Sequence, residues 1–286
     1  MQRTVYVNGA YLPESEASVS IFDRGFLMAD AIYEVTSVLD GRLVDFDAHM
    51  TRLARSAREL DMAPPPGRDE LLAIHRELVR RNGIDEGLVY LQVTRGAPGD
   101  RDFAYPDPGL APTVVLFTQA KPGLADDPVA RRGIRVISLD DLRWKRRDIK
   151  TVQLLYPSMA KMAARRAGAD DAWLVEDGFV TEGTSNNVYI VSNGRIITRP
   201  LSCEILHGIT RRSVLRCAAE AGMAVEERAF TLAEAKAAQE AFLTSASAFV
   251  IPVVAVDGVV LGDGRPGPVA ARLRDICLEE ARAGAI

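Results

Sequence analysis

The chain is poor in the residues that brace secreted domains or bind metals, with three cysteines and three histidines in 286 residues. Cys203, Cys217 and Cys277 are scattered and odd in number, so no disulfide framework is indicated. Unpaired thiols suit a reducing compartment, and a cytoplasmic protein is expected. His49, His75 and His207 lie far apart, and neither they nor the cysteines show metal-ligand spacing, so no metal is expected. Long apolar runs are also missing. The longest, Ala248 to Val256, is interrupted by Pro252 and is too short to span a bilayer. Met1 to Glu14 has no apolar signal core. There is no excess of positive charge either. A net charge of −4 and a pI near 5.6 argue against a general nucleic-acid binder. A local basic cluster can still hold a small anion.

At 286 residues the chain fits one large or two medium domains. Val5 to Leu12 reads as a hairpin about Asn8-Gly9, and Ser18 to Phe22 as a further short strand. Asp47 is placed to cap a helix with Met50, Leu53, Ala54, Ala57 and Leu60 on one face. A second helix is expected over 69–81, then strands over 88–94 and 113–118. The stretch 96–112 between them is rich in Gly, Pro and Asp, and a loop of that length is uncommon unless functional. Residues 119–129 read as a linker. Beyond it strands are expected over 134–139, 172–175, 188–191, 195–198, 241–244 and 249–256, with helices over 157–167, 210–221 and 268–283. Strands and helices mix without regular βαβ alternation. That predicts an α+β fold with an N-terminal domain over 1–120, a linker over 121–130 and a C-terminal domain over 131–286 that carries Lys150. Gly262 to Gly267 matches G-x-G-x-x-G, but too little chain follows to complete a dinucleotide-binding unit, and it reads as turns.

Two segments stand out as chemistry. The first is Arg146-Arg147-Asp148-Ile149-Lys150, running into Thr151-Val152-Gln153-Leu154-Leu155. A lysine at the border of a charged run and an apolar stretch sits at the edge of a buried site, and burial and positive neighbours both lower a lysine pKa. The same pattern also describes a solvated basic strand edge. The second is Val180-Thr181-Glu182-Gly183-Thr184-Ser185-Asn186-Asn187, which is equally a strand end with a turn glutamate. Gly208-Ile209-Thr210-Arg211 opens a helix, where backbone N–H groups and the dipole favour a phosphate, or where Thr210 is a plain cap.

Asp141-Leu142-Arg143-Trp144, Asp148-Ile149-Lys150 and Leu154-Leu155, together with the Glu182 segment, resemble the pyridoxal-phosphate enzymes of fold type IV, and within them the D-amino-acid aminotransferases. The likeness extends from Asn8 to Val256. It implies a two-domain α+β fold, a pyridoxal 5'-phosphate cofactor held as a Schiff base on Lys150, and Glu182 on the pyridine nitrogen. Phe46, His49, Arg52-Leu53 and Ser56 are similar to the family's phosphate-arginine helix, which gives Arg52 that role. Leu206, Gly208, Ile209 and Thr210 resemble one side of its phosphate cup. Thr244-Ser245-Ala246-Ser247 resembles the other side, with Ala246 where a hydroxyl residue is common. Ser185 joins the cofactor residues. Tyr33, in Asp30-Ala31-Ile32-Tyr33-Glu34, would face the substrate, and Arg101 would grip its carboxylate; Phe103 stands where the family has a histidine. The resemblance implies transfer of an amino group from a D-amino acid such as D-alanine to a 2-oxo acid (2-oxoglutarate or pyruvate), in a homodimer without nucleic-acid or membrane partners. A branched-chain L-amino-acid transaminase, an (R)-amine transaminase and an aminodeoxychorismate lyase are the alternatives on the same fold. A non-catalytic cofactor-binding homologue is the alternative of another class.

Overall fold

The computed structural model describes residues 2–286. They form two compact units. The first extends to Leu124 and adds Ile149–Gln153 and Arg282–Ile286; the second comprises Ala125–Asp148 and Leu154–Ala281. The change at Leu124 falls within the stretch read as a linker. The lysine segment, in contrast, does not go with the C-terminal part of the chain. Its backbone is sewn to the first unit: Tyr33 N donates to Lys150 O at 3.0 Å, Val152 N donates to Ala31 O at 3.2 Å, and Ile32 and Thr151 form an antiparallel bridge. These bonds are remote in sequence, and composition does not reveal them.

The first unit contains β1 (Thr4–Val7), β2 (Ala10–Pro13), α1 (Arg24–Met28), β3 (Ala31–Leu39), β4 (Arg42–Leu43), α2 (Phe46–Glu59), α3 (Arg68–Asn82), β5 (Gly87–Thr94) and β6 (Val114–Ala120). They build an antiparallel sheet in the order β2-β1-β6-β5-β3-β4. Asn8 and Gly9, with φ of 46° and 96°, make the hairpin turn that the dipeptide suggests. Ser18 to Phe22 is not a strand; Val19, Ile21 and Phe22 are exposed there, with no sheet partner to cover them. The cap of α2 is Asp45, in the left-handed region at φ 53°, whereas Asp47 lies in the first turn and accepts from Arg68 Nε at 2.7 Å.

The second unit contains α4 (Pro128–Arg132), β7 (Ile134–Asp140), α5 (Leu155–Arg166), β8 (Asp171–Glu176), β9 (Phe179–Gly183), β10 (Asn187–Ser192), β11 (Arg195–Thr198), α6 (Ile209–Glu220), β12 (Ala224–Glu227), α7 (Leu232–Lys236), β13 (Glu240–Ser245), β14 (Phe249–Val256), β15 (Val259–Val260) and α8 (Pro268–Gly284). The sheet runs β12-β11-β10-β13-β14-β7-β8-β9, with β15 on β14. It mixes parallel pairs (β11 with β12, β14 with β7, β7 with β8) and antiparallel ones, which makes the fold α+β. One core gathers Trp173, Val180, Phe230 and Leu243; another gathers Tyr189, Phe242, Val214 and Leu273. The central strands are buried on both faces because each core covers one. No helix among the described residues is long and apolar enough to cross a membrane.

Strand β3 went unrecognised in the sequence, and it carries the charge that organises the first unit. Glu34 is fully buried. Its Oε1 accepts from Arg52 Nε at 2.8 Å, its Oε2 accepts from Arg52 Nη2 at 2.7 Å, and His49 Nδ1 lies 2.7 Å from Oε2. Burial alone would raise this carboxyl, but the Arg52 guanidinium and the His49 bond hold it down at about 2. A buried charge is tolerated only when paired in this way. Because the folded value is depressed, the pair contributes stability above the ordinary carboxylate value of 4.5 and loses it as pH falls toward about 2. Glu34→Gln removes the bidentate carboxylate from buried Arg52, and should cost roughly 3–5 kcal/mol at pH 7. A urea-unfolding midpoint at the wild-type value would contradict this.

Candidate functional site

Lys150 is half-buried, and its Nζ lies 4.1 Å from the centre of the Tyr33 ring. Lys145 sits on Glu176, Lys161 Nζ is 3.3 Å from Asp171, and Lys236 Nζ is 2.8 Å from Asp257. Lys150 Nζ, among the described residues, has no such carboxylate and no hydrogen bond. An amine partly withdrawn from water, with no carboxylate or hydrogen bond to occupy it, is available for chemistry. The ring beneath it is fixed. Tyr33 stacks on Tyr90 with centroids 5.5 Å apart, and Tyr90 stacks on Phe117 at 4.8 Å, across β3, β5 and β6. The arginines before Lys150, read from sequence as positive neighbours of its amine, are instead engaged by acids. Arg146 Nε bonds Asp148 at 3.0 Å, and Arg147 Nη1 bonds Glu176 at 2.6 Å.

Arg52 and its partner Glu34 belong to the same unit as Lys150. Helix periodicity about Met50, Leu53 and Ala57 alone puts Arg52 on the polar side of α2, yet the side chain is buried, as are His49, Leu53 and Ser56. Arg101 and Phe103 lie exposed on the 96–112 loop, with the Arg101 guanidinium carbon 4.8 Å from the Phe103 ring centre. Arg101 therefore rests on the Phe103 ring.

The second unit holds the other set. Glu182, near the end of β9, is buried. Its Oε1 accepts from Arg143 Nη1 at 2.5 Å. Its Oε2 accepts from Asn187 Nδ2 at 3.1 Å and from Leu206 N at 3.0 Å. A carboxylate has about four acceptor positions, so one, on Oε1, is left over among the described residues. Arg143 is itself gripped by Asp141, through Nε at 2.9 Å and Nη2 at 2.6 Å. Burial raises the Glu182 carboxyl despite the lowering effect of Arg143 and of the Leu206 N–H, whereas Asp141 is held low, against its own burial, by Arg143 and Thr181. Glu182 is thus a buried carboxylate that gains from one more positive partner.

Gly208 precedes α6 as its cap, with no side-chain cap bond, so the N–H groups of Ile209 and Thr210 lie at a bare helix start; Thr210 is in the helix and is not its cap. A Cβ on Gly208 would fall 2.1 Å from Asn187 Oδ1, so this turn needs glycine to approach the Glu182 segment. Ser245 Oγ lies 3.3 Å from Ser247 Oγ, with Ala246 between them in the turn that follows β13. Ser185 is exposed at the tip of the turn after β9; its neighbours Thr184 and Asn186 bind Asp171 at 2.7 and 2.9 Å. Lys150, Tyr33 and Arg52 belong to one unit; Glu182, Ser185, Ile209, Thr210, Ser245 and Ala246 belong to the other. Sequence reasoning named Glu34, Asp141 and Arg143 within motifs but gave Glu34 and Asp141 no role and missed the Arg143–Glu182 pair. The one available signal was the β-branched run of β3, which marks a strand.

The amino-transferase class IV family model matches residues 31–256. A D-alanine aminotransferase of Bacillus licheniformis is 41% identical over 271 residues, covering 94% of each chain. A D-alanine aminotransferase of Staphylococcus haemolyticus is 36% identical, covering 95% of each. Among solved structures, a branched-chain aminotransferase of the archaeon Thermoproteus uzoniensis, with norvaline, superposes with a TM-score of 0.87 at 25% identity, covering 100% of this chain and 99% of the other. A branched-chain amino acid aminotransferase complexed with N-(5'-phosphopyridoxyl)-L-glutamate, from the source abbreviated T.th., superposes with a TM-score of 0.90 at 28% identity, covering 100% of this chain and 98% of the other. On the family match and the full-length relatives, the chain belongs to the class IV aminotransferases.

Proposed function

We propose that this chain is a pyridoxal-phosphate-dependent transaminase that moves the amino group of a D-amino acid, such as D-alanine, to 2-oxoglutarate or pyruvate. The observation that carries the chemistry is the unpaired Lys150 amine over the Tyr33 ring. The donor set fits the cofactor group by group: an amine for its aldehyde, the left-over acceptor position of buried Glu182 for a protonated ring nitrogen, and the bare start of α6 for its phosphate. The greater identity to D-alanine aminotransferases than to the branched-chain structure, 41% against 28%, favours D-amino acids over the branched-chain alternative.

Pyridoxal phosphate, when bound, supplies an aldehyde that captures amines and a ring that accepts electrons. The chain's residues do the rest. Lys150 Nζ would hold the cofactor through its aldehyde and, as a free amine, would take the substrate α-proton; tethering would make that transfer effectively intramolecular. Glu182 keeps the ring-nitrogen proton in place, and Arg143 and Asn187 fix the direction of its carboxylate. Arg52 is a cation held still by Glu34. By the family resemblance it would serve the phosphate, as would the N–H groups of Ile209 and Ala246 and the hydroxyls of Thr210, Ser245 and Ser185. Tyr33 and Arg101 orient the substrate carboxylate, and Phe103 adds an apolar surface with no donor. A homodimer in the cytoplasm completes the proposal. Exposed Ile21, Phe22 and Phe26 in one unit and Leu155, Met159 and Met162 in the other support the dimer, and three free cysteines support the compartment.

The test is the visible absorption spectrum of the loaded enzyme with D-alanine, L-alanine or L-leucine. Conversion by D-alanine alone is expected; conversion by L-leucine alone would favour the branched-chain reading. Glu182→Gln exchanges a charge-assisted bond for a neutral one, and kcat should fall on the order of 10- to 100-fold. An unchanged kcat would remove Glu182 from its role. Arg101→Ala should raise KM for D-alanine on the order of 10-fold or more at similar kcat, the scale of one lost charged hydrogen bond.

A further inference from the structure

Residues 96–112 contain no helix or strand, and a loop of this length is ordinarily either mobile or tied down for a purpose. Here it is tied at its base and at its tip. At the base, Gly96 N donates to Thr94 Oγ1 at 2.9 Å, Thr94 Oγ1 donates to Asp23 Oδ2 at 2.8 Å, and Arg24 N donates to Gly96 O at 3.0 Å. Gly96 has φ of 93°, and a Cβ there would lie 2.3 Å from Ala111 O, so the two ends of the loop meet closely at a position only glycine fits.

The tip is held by two buried arginines. Arg24 Nη1 donates to Asp102 O at 2.5 Å and to Ala104 O at 3.1 Å, the carbonyls on either side of Phe103. Arg24 Nε and Arg95 Nε both donate to Asp30 Oδ2, each at 2.8 Å. Arg95 then donates to Asp61 O at 2.8 Å and Leu60 O at 2.7 Å, the carbonyls just past the end of α2. One carboxylate cannot neutralise two guanidiniums. The negative end of the helix dipole and the Tyr105 ring face supply the difference. That ring has the Arg95 guanidinium carbon 3.7 Å from its centre and that of Arg24 at 5.8 Å. Tyr105 is nonetheless 59% exposed, so it closes the clamp from outside and supports no core.

We propose that Arg24, Arg95 and Tyr105 are positioning residues that set the loop tip, and with it Arg101 and Phe103, before substrate arrives. The ordering cost of the loop is then met during folding and not at each binding event. The inference rests on the proposed carboxylate role of Arg101; the clamp itself does not.

The test uses the cofactor-loaded enzyme with Tyr105→Leu, which removes the ring face, and Tyr105→Phe, which keeps it. Tryptic cleavage at Arg101 should quicken roughly two- to fivefold in Y105L, the scale of one exposed cation–π contact. KM for D-alanine should rise by a similar factor with kcat and the cofactor absorption band unchanged, and Y105F should restore both. Cleavage and KM at wild-type values in Y105L would overturn the clamp. Arg101→Ala separates the two ideas: a normal KM in that variant, beside fast cleavage in Y105L, keeps the clamp and removes the carboxylate role.

Discussion

The return of Ile149–Gln153 to β3 is the constraint on which the candidate chemistry depends. Two backbone hydrogen bonds and one bridge pin a segment far downstream in the chain against Ala31, Ile32 and Tyr33. That pairing determines where the Lys150 amine sits, because the side chain leaves from a backbone that is already fixed. It also explains the Tyr33 contact. The bond from Tyr33 N to Lys150 O sets the Tyr33 backbone beside the lysine, so the ring starts within reach of its amine. The aromatic stack through Tyr90 and Phe117 then keeps the ring from turning.

Charge is handled by one device used repeatedly. Glu34 takes Arg52, Glu182 takes Arg143, and Asp30 takes Arg24 and Arg95. Guanidinium suits this work because its planar fork makes several directed bonds and stays charged. The outcomes differ because the surroundings differ. Glu34 has a bidentate arginine and a histidine, and its carboxyl is held low; Glu182 has one arginine contact and two weaker donors, and burial prevails. A carboxylate that has lost water without full compensation favours a further cation, as a ring-nitrogen partner must. The same device that stabilises α2 against β3 thus, slightly underfilled, leaves a binding position.

What was legible in the sequence is what depends on local pattern. Asn8-Gly9 marked the hairpin, glycine and the following apolar residues marked the start of α6, and the composition of 96–112 marked a long loop. The lysine and glutamate segments were legible through a family likeness, which the family match bears out for the chain as a whole. What escaped was pairing at a distance. Arg143 and Glu182 are separated by 39 positions, and no spacing rule joins them. Arg52 read as a surface residue because helix periodicity treats every arginine as polar; only its acid partner makes it a buried one, and that partner lies on a strand that was passed over. Ser18 to Phe22 erred the other way, since apolar residues suggested a strand where none forms and Val19, Ile21 and Phe22 remain exposed.

The central claim is that Lys150 is the lysine that holds the cofactor. The direct measurement is borohydride reduction of the pyridoxal-phosphate-loaded enzyme followed by peptide mapping by mass spectrometry. A single stable adduct on Lys150 is the predicted result, with Lys145, Lys161 and Lys236 unmodified because each is engaged by a carboxylate. An adduct on any lysine other than Lys150, or a reduced enzyme whose cofactor washes away, would contradict the account.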